Sequence, residues 1–169
     1  MNIVLDTNVL VAGLLSPFGP CGKIVRMVSS GELTLSFDAR VLMEYEEVLA
    51  RPKFKFEKDK VAALLDHIEH RGQTVAPSPL SQSLPDVDDE PFLEAAIAAD
   101  AICLVTGNRV HFPSDLCQAV TVFSPSEFLE FYKKQLIGVI DQLKMIEEQY
   151  RKVEGDNSAM WGKHQRDLG

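Results

Sequence analysis

The chain has 169 residues, 46% of them hydrophobic and 8% aromatic, which suits one globular domain burying roughly 70% of its unfolded surface, with at most an appendage. A formal charge of −8 and a pI near 5.0 exclude a protein that coats nucleic acid by bulk electrostatics, although carboxylates gathered to bind a divalent metal would add to that negative count. Cys21, Cys103 and Cys117 form no CxxC pair, there is no charged leader, and no apolar run approaches about 18 residues, so a reduced, soluble, cytoplasmic protein without membrane association is expected.

Ile3, Val4 and Leu5 are a short apolar run that stops at Asp6-Thr7-Asn8, and a second apolar segment, Val9 to Leu15, follows. This predicts a buried strand that delivers one carboxylate to its C-terminal edge and then turns into a helix capped by Thr7 or Asn8. Pro20 suits the first turn of a helix over Cys21 to Ser30, and Gly31 stops it. Leu33 to Ser36 reads as a brief strand. Ala39 to Ala50 reads as a helix, with Val41, Leu42, Tyr45, Val48 and Leu49 at helical spacing and Glu44, Glu46 and Glu47 at its middle. A basic and aromatic connection, Arg51-Pro52-Lys53-Phe54-Lys55-Phe56, leads to a helix from Glu57 to His70 and a strand over Thr74 to Ala76.

The polar loop Pro77 to Pro85 opens onto Asp86-Val87-Asp88-Asp89, and a helix rich in small apolar residues begins at Asp89. Ala101 to Thr106 is an apolar strand of the kind covered on both faces of a parallel sheet, and it ends in the turn Thr106-Gly107-Asn108. Val120 to Phe123 is a last strand, and Ser124 to Glu127 opens a helix through Tyr132 by a capping pattern. This alternation predicts an α/β fold, a three-layer α/β/α sandwich with a mostly parallel central sheet of four to five strands. The domain is expected over residues 1–133. Leu136, Ile140, Leu143 and Tyr150 then mark a C-terminal amphipathic helix over 134–153, which serves its own domain or a partner, and 154–169 is expected to be a disordered tail.

Asp6, Glu44 and Asp89 stand at the ends or in the middle of regular elements. Each alone reads as a cap or a solvated helix face, the reading preferred for Glu46 and Glu47. Together they match what phosphodiester hydrolysis needs, oxygen ligands that hold Mg²⁺ or Mn²⁺ without completing its octahedral shell. Asp89 is favoured over Asp88 as the inward acid because Phe92 and Ala96 follow it at helical spacing. Arg51, Lys53 and Lys55, interleaved with Phe54 and Phe56, form the best candidate for a patch touching phosphates and stacking bases, with the two Phe read as core. Arg109 and His111 flank the proposed site as further phosphate contacts.

Leu5-Asp6-Thr7-Asn8-Val9-Leu10, the Glu44 to Leu49 helix, Asp88-Asp89-Glu90-Pro91-Phe92-Leu93 and Val105-Thr106-Gly107-Asn108 resemble, in order and spacing, the successive motifs of the PIN domain, including the VapC-like ribonuclease toxins of prokaryotic toxin–antitoxin pairs. The resemblance implies metal ligation by Asp6, Glu44 and Asp89, with Thr7, Asn8 and Thr106 orienting ligands and waters. The fourth acidic position falls on Asn108, whose amide oxygen can ligate but brings no charge; Asp86 and Asp88 are the candidates to compensate. It implies Mg²⁺- or Mn²⁺-dependent hydrolysis of RNA, leaving a 5′-phosphate and a 3′-hydroxyl, a small antitoxin partner, and a homodimer or higher homo-oligomer. Two other readings stand beside it: an inactive PIN fold kept as a binding module, and a phosphatase with Asp6 as nucleophile.

Overall fold

Strand β1 (Asn2–Leu5) carries Ile3, Val4 and Leu5 wholly out of solvent and is the middle strand of the molecule. A computed structural model describes residues 1–166, with side chains to residue 153. The remaining strands are β2 (Thr34–Phe37), β3 (Gln73–Thr74), β4 (Leu104–Val105) and β5 (Val122–Phe123). They form one five-stranded sheet in the order β3-β2-β1-β4-β5 with every pair parallel, as the alternation of strands and helices requires. Cys103, Leu104 and Val105 are fully buried although only two of the residues from 101 to 106 pair as a strand.

Helices α1 (Thr7–Leu15) and α2 (Pro20–Ser29) connect β1 to β2, and α3 (Ala39–Leu49) and α4 (Lys58–Arg71) connect β2 to β3. Both steps run the same way along the sheet, so right-handed crossovers put all four helices on one face, where they pack on one another. The connection through α5 (Glu90–Ala98) returns past β1 to β4, and the same handedness puts α5 on the opposite face, against β1, β2 and β4. This reversal makes the carboxyl ends of β1 and β4 the topological switch point, the place where open α/β sheets bind ligands.

The last helix, α6, runs unbroken from Pro125 to Arg166. The expected division between a helix ending at Tyr132 and another beginning near Leu136 is absent because Lys133-Lys134-Gln135 are good helix formers with nothing to stop the chain. The chain divides into two compact units, Met1–Leu129 and Glu130–Gly169, and the described part of the second is the continuation of α6. Residues 167–169, the end of the tail expected from 154, lie outside the described residues. Among the described residues no single helix is long and apolar enough to cross a membrane.

The start of α1 differs from the sequence reading. Asp6 itself is the N-cap, accepting a hydrogen bond from Asn8 N at 3.1 Å, while Thr7 and Asn8 lie inside the helix and point their polar groups elsewhere. Helix α3 is tied to the end of β1 by Tyr45, which is fully buried and donates its hydroxyl to the Leu5 carbonyl. That contact fixes the turn of α3 carrying Glu44 against the strand carrying Asp6. Tyr45→Phe leaves a buried carbonyl without this donor and is expected to lower unfolding stability by about 1–2 kcal/mol in urea titration. An unchanged midpoint would mean the hydroxyl contributes nothing there.

Candidate functional site

Asp6 leaves β1 at its carboxyl end and is 5% exposed. Its Oδ2 accepts from Asn8 Nδ2 at 2.7 Å and from Thr106 Oγ1 at 2.6 Å, and its Oδ1 accepts from the Asn8 amide. Thr106 follows β4 directly, so this bond spans the switch point. Asn8 reinforces it, since its Oδ1 accepts from Gly107 N at 2.9 Å. Thr106 Oγ1 in turn accepts from Asn108 N at 2.9 Å. With two donors on Oδ2 and one on Oδ1, Asp6 keeps open acceptor capacity on Oδ1.

Glu44, on α3, accepts from Thr7 Oγ1 at 2.7 Å through Oε1. Asp89 holds the N-cap position of α5 but its side chain makes no capping bond there, while Asp86 caps a short turn of 3₁₀ helix at Val87–Asp89 that precedes α5. Freed from capping, Asp89 Oδ2 meets His111 Nδ1 at 2.6 Å. His111 Nε2 lies 2.7 Å from Asn108 Nδ2 and its Nδ1 3.8 Å from Asp86 Oδ2. An amide nitrogen only donates, so Nε2 accepts and Nδ1 carries the proton toward Asp89. Asn108 thus acts through His111.

Burial raises the Asp6, Glu44 and Asp89 carboxyls above their ordinary range, opposed by hydrogen bonds from Thr106, Thr7 and His111 respectively. The charges of Asp6, Asp89 and Asp88 each push Glu44 up further, and those of Asp6 and Asp86 push Asp89 up. The acids from the separate motifs therefore share one electrostatic neighbourhood. Within it, and among the described residues, Asp86, Asp89 and His111 hold candidate ligand atoms all within 4.8 Å of one another; Asp6 and Glu44 stand outside that trio. The donor set fits a divalent cation. The carboxylates offer the hard oxygen ligands that suit Mg²⁺ or Mn²⁺.

Two hollows meet at Glu44 and Val48. One, of about 970 Å³, is a groove lined by α3 (Arg40, Met43, Glu44, Glu46, Glu47, Val48), by Arg51 just beyond it, and by Val87, Asp88, Asp89 and Pro91. The other, of about 370 Å³, holds Asp6, Thr7, Asn8 and Glu44 together with Phe54. Of the expected RNA contacts, Arg51 lines the groove while paired to Glu47 at 3.4 Å, and Lys53 Nζ lies 4.8 Å from the Phe54 ring centre. Lys55 is exposed. Arg109 is bound to Glu127 at 2.7 Å, and His111 belongs to the acid cluster. Phe54 and Phe56 are not core, as had been expected; both are partly exposed and stack on each other. Glu46 and Glu47 are exposed, as a solvated helix face requires.

Sequence reasoning missed Arg40 and Glu94. The Arg40 guanidinium meets Asp38 and Glu94 at 2.6 Å each, and both acids are buried. Glu94 Oε1 also accepts from Leu80 N at 2.9 Å, which pins the loop leading to Asp86. The available signals were Arg40 lying four residues before Glu44 on one helix face, and a lone acid inside the apolar run Phe92 to Ile97.

The family model for the PIN domain matches residues 2–110. Among solved structures, the crystal structure of VapBC2 from Rickettsia felis bound to a DNA fragment from their promoter aligns with a TM-score of 0.49 and 18% identity, covering 73% of this chain and 98% of that one. No curated protein matches the sequence.

The raised carboxyls set a pH dependence. Each binds its proton more tightly when folded than in the unfolded chain, where 3.8 for Asp and 4.5 for Glu apply. Their contribution to stability is therefore greatest in acid and falls as the pH rises from those values through the folded ones. At neutral pH the cluster opposes folding unless a cation offsets it. Glu44→Gln keeps an acceptor for Thr7 and removes one repelled charge. The metal-free variant is expected to melt a few degrees higher than wild type at pH 7 and to gain less from added Mn²⁺, as read by calorimetry at two pH values.

Proposed function

The chain belongs to the PIN domain family, and on that premise we propose that it is a metal-dependent endoribonuclease, the toxin of a toxin–antitoxin pair. The observation that carries this reading is the convergence of Asp6, Glu44 and Asp89 on the switch point. A separate neutral donor holds each: Thr106 and Asn8, Thr7, and His111. Asp6, Glu44 and Asp89, with Asp86 beside them, would hold Mg²⁺ or Mn²⁺, His111 fixes Asp89 through its Nδ1 proton, and Asp88, on the groove wall, adds to the negative field that attracts the ion. Such an ion supplies Lewis-acid activation of water and charge stabilisation at the phosphate.

The chain's own residues do the rest. Thr106, Asn8 and Thr7 fix the Asp6 and Glu44 carboxylates so that they need not reorganise when a substrate arrives. Asn108 orients His111, which orients Asp89. Arg51 releases Glu47 for a phosphate in the groove, and Lys53 and Lys55 extend the positive rim beside it. In-line attack of water then breaks the P–O3′ bond and leaves a 5′-phosphate and a 3′-hydroxyl, with no covalent enzyme intermediate. A phosphatase using Asp6 as nucleophile is less well supported, since Asn8 stands where its acid would be and spends its amide on Asp6 and Gly107.

A second reading, a PIN-fold binding module with little catalysis, is favoured by the neutral Asn108 at the fourth acidic position. As a toxin the protein would work in the cytoplasm and carry a small antitoxin partner, and α6 beyond residue 134 is the segment offered for that partner or for homo-oligomer contact.

Wild-type protein with Mn²⁺ is expected to cleave RNA, and Asp6→Asn to lose at least about 100-fold of that rate. Equal rates would sink the nuclease reading. Failure of the wild type to cleave, with no metal-induced stabilisation, would favour the binding module. Deleting residues 134–169 is expected to leave the fold intact by circular dichroism while changing the oligomeric state in sedimentation. Loss of folding would show that the helix is core.

A further inference from the structure

We propose that Phe54 and Phe56 form a stacking platform for one unpaired base of the RNA, placed beside the carboxylate site; the idea rests on the ribonuclease reading above and names the form of substrate it takes. The platform is built by the backbone. Pro52–Phe54 makes a single turn of 3₁₀ helix, and Lys55 then adopts the left-handed conformation, at φ 53° and ψ 33°. A lysine there has no glycine's freedom, so the turn carries a conformational cost that the surrounding structure sustains. Its effect is to lay the Phe56 ring on the Phe54 ring, with centroids 5.4 Å apart and planes 16° from parallel.

Three observations say what the pair is for. Neither ring is buried, although two adjacent phenylalanines with only packing to do would be drawn into the core. Phe54 lines the hollow that holds Asp6, Thr7, Asn8 and Glu44, so a base resting on it has its phosphate within reach of the acids. Arg51, Lys53 and Lys55 alternate with the rings in a chain whose net charge is −8, which concentrates cations where the acidic site would otherwise repel a polyanion. The Lys53 ammonium, 4.8 Å from the Phe54 centroid, is held by the ring alone and on a flexible stem, so an incoming base displaces it onto the base's own phosphate.

Aromatic faces interleaved with cations bind single strands and accept any base, because every base has a π-face. A duplex offers no such face, since its bases already stack on each other. The platform therefore selects unpaired nucleotides and is tolerant of sequence.

The test uses the full chain carrying Asp6→Asn, which holds RNA without cutting it; wild type in a chelator replaces it should that variant not fold. Anisotropy is measured with a short unpaired RNA and with the same strand annealed to its complement. Phe54→Leu keeps an apolar side chain and removes the π-face, and is expected to bind the single strand about tenfold more weakly while leaving duplex binding unchanged. Phe54→Trp is expected to restore it. Equal binding by Phe54→Leu, or an equal loss for both RNA forms, overturns the platform, as does a parent that binds neither form. These outcomes are separable from the nuclease reading. A protein that cleaves RNA but is indifferent to Phe54→Leu refutes only the platform, and one that binds through Phe54 without cleaving refutes only the nuclease.

Discussion

The constraint on which the rest depends is the burial of a carboxylate at the carboxyl end of β1. Asp6 is nearly inaccessible to water, so its charge must be met by protein donors, and they come from both sides of the switch point: Asn8 on α1 and Thr106 after β4. Satisfying that one group sets the separation of β1 and β4, the start of α1, and the path of the Thr106-Gly107-Asn108 turn. Asn8 serves twice, donating to Asp6 and accepting from Gly107, and so ties the two turns together.

The donors around the acids are neutral or shared, and Arg40, Arg51 and Arg109 are committed elsewhere. Arg40 is spent on Asp38 and Glu94, Arg109 on Glu127, and Arg51 on Glu47. Of these pairs the first is structural: both acids are buried, and Glu94 also holds the loop that delivers Asp86 to Asp89. The others are exposed, are worth little, and open readily. Mutual repulsion among Asp6, Glu44, Asp88 and Asp89 is thus only partly offset by the hydrogen bonds and by His111, and a cation from solution is the remedy the arrangement invites.

The alternation of strands and helices, the placement of Asp6 and the helix carrying Glu44 were legible because each rests on local pattern: an apolar run ending in a polar triplet, or a stripe at helical spacing. What escaped depends on contacts distant in sequence. Nothing near Arg40 announces Glu94, because 54 residues separate them. His111 read as a phosphate contact because its partner Asp89 lies 22 residues earlier. Asp89 read as the inward acid, but the 3₁₀ turn before it, capped by Asp86, has no mark among the neighbouring acids that would tell which of them caps. The two phenylalanines read as core because composition says where such rings usually go, while the left-handed Lys55 that turns them outward has no signature in the sequence.

Asn108 has the subtlest role. Counted as a ligand it is one charge short of an acid, which is how the sequence presents it. In the structure its amide faces His111, and that changes what the deficit means. An amide nitrogen can only donate, so it makes Nε2 the acceptor and directs the Nδ1 proton to Asp89. An aspartate in the same place would accept instead and demand a second proton on the ring. The neutral residue therefore selects the tautomer that satisfies Asp89 and leaves His111 beside Asp86 with its ring held from both ends. What the fourth position loses in charge it returns as orientation of the third acid. The site is accordingly one in which an imidazole, rather than a fourth carboxylate, holds the third acid in place.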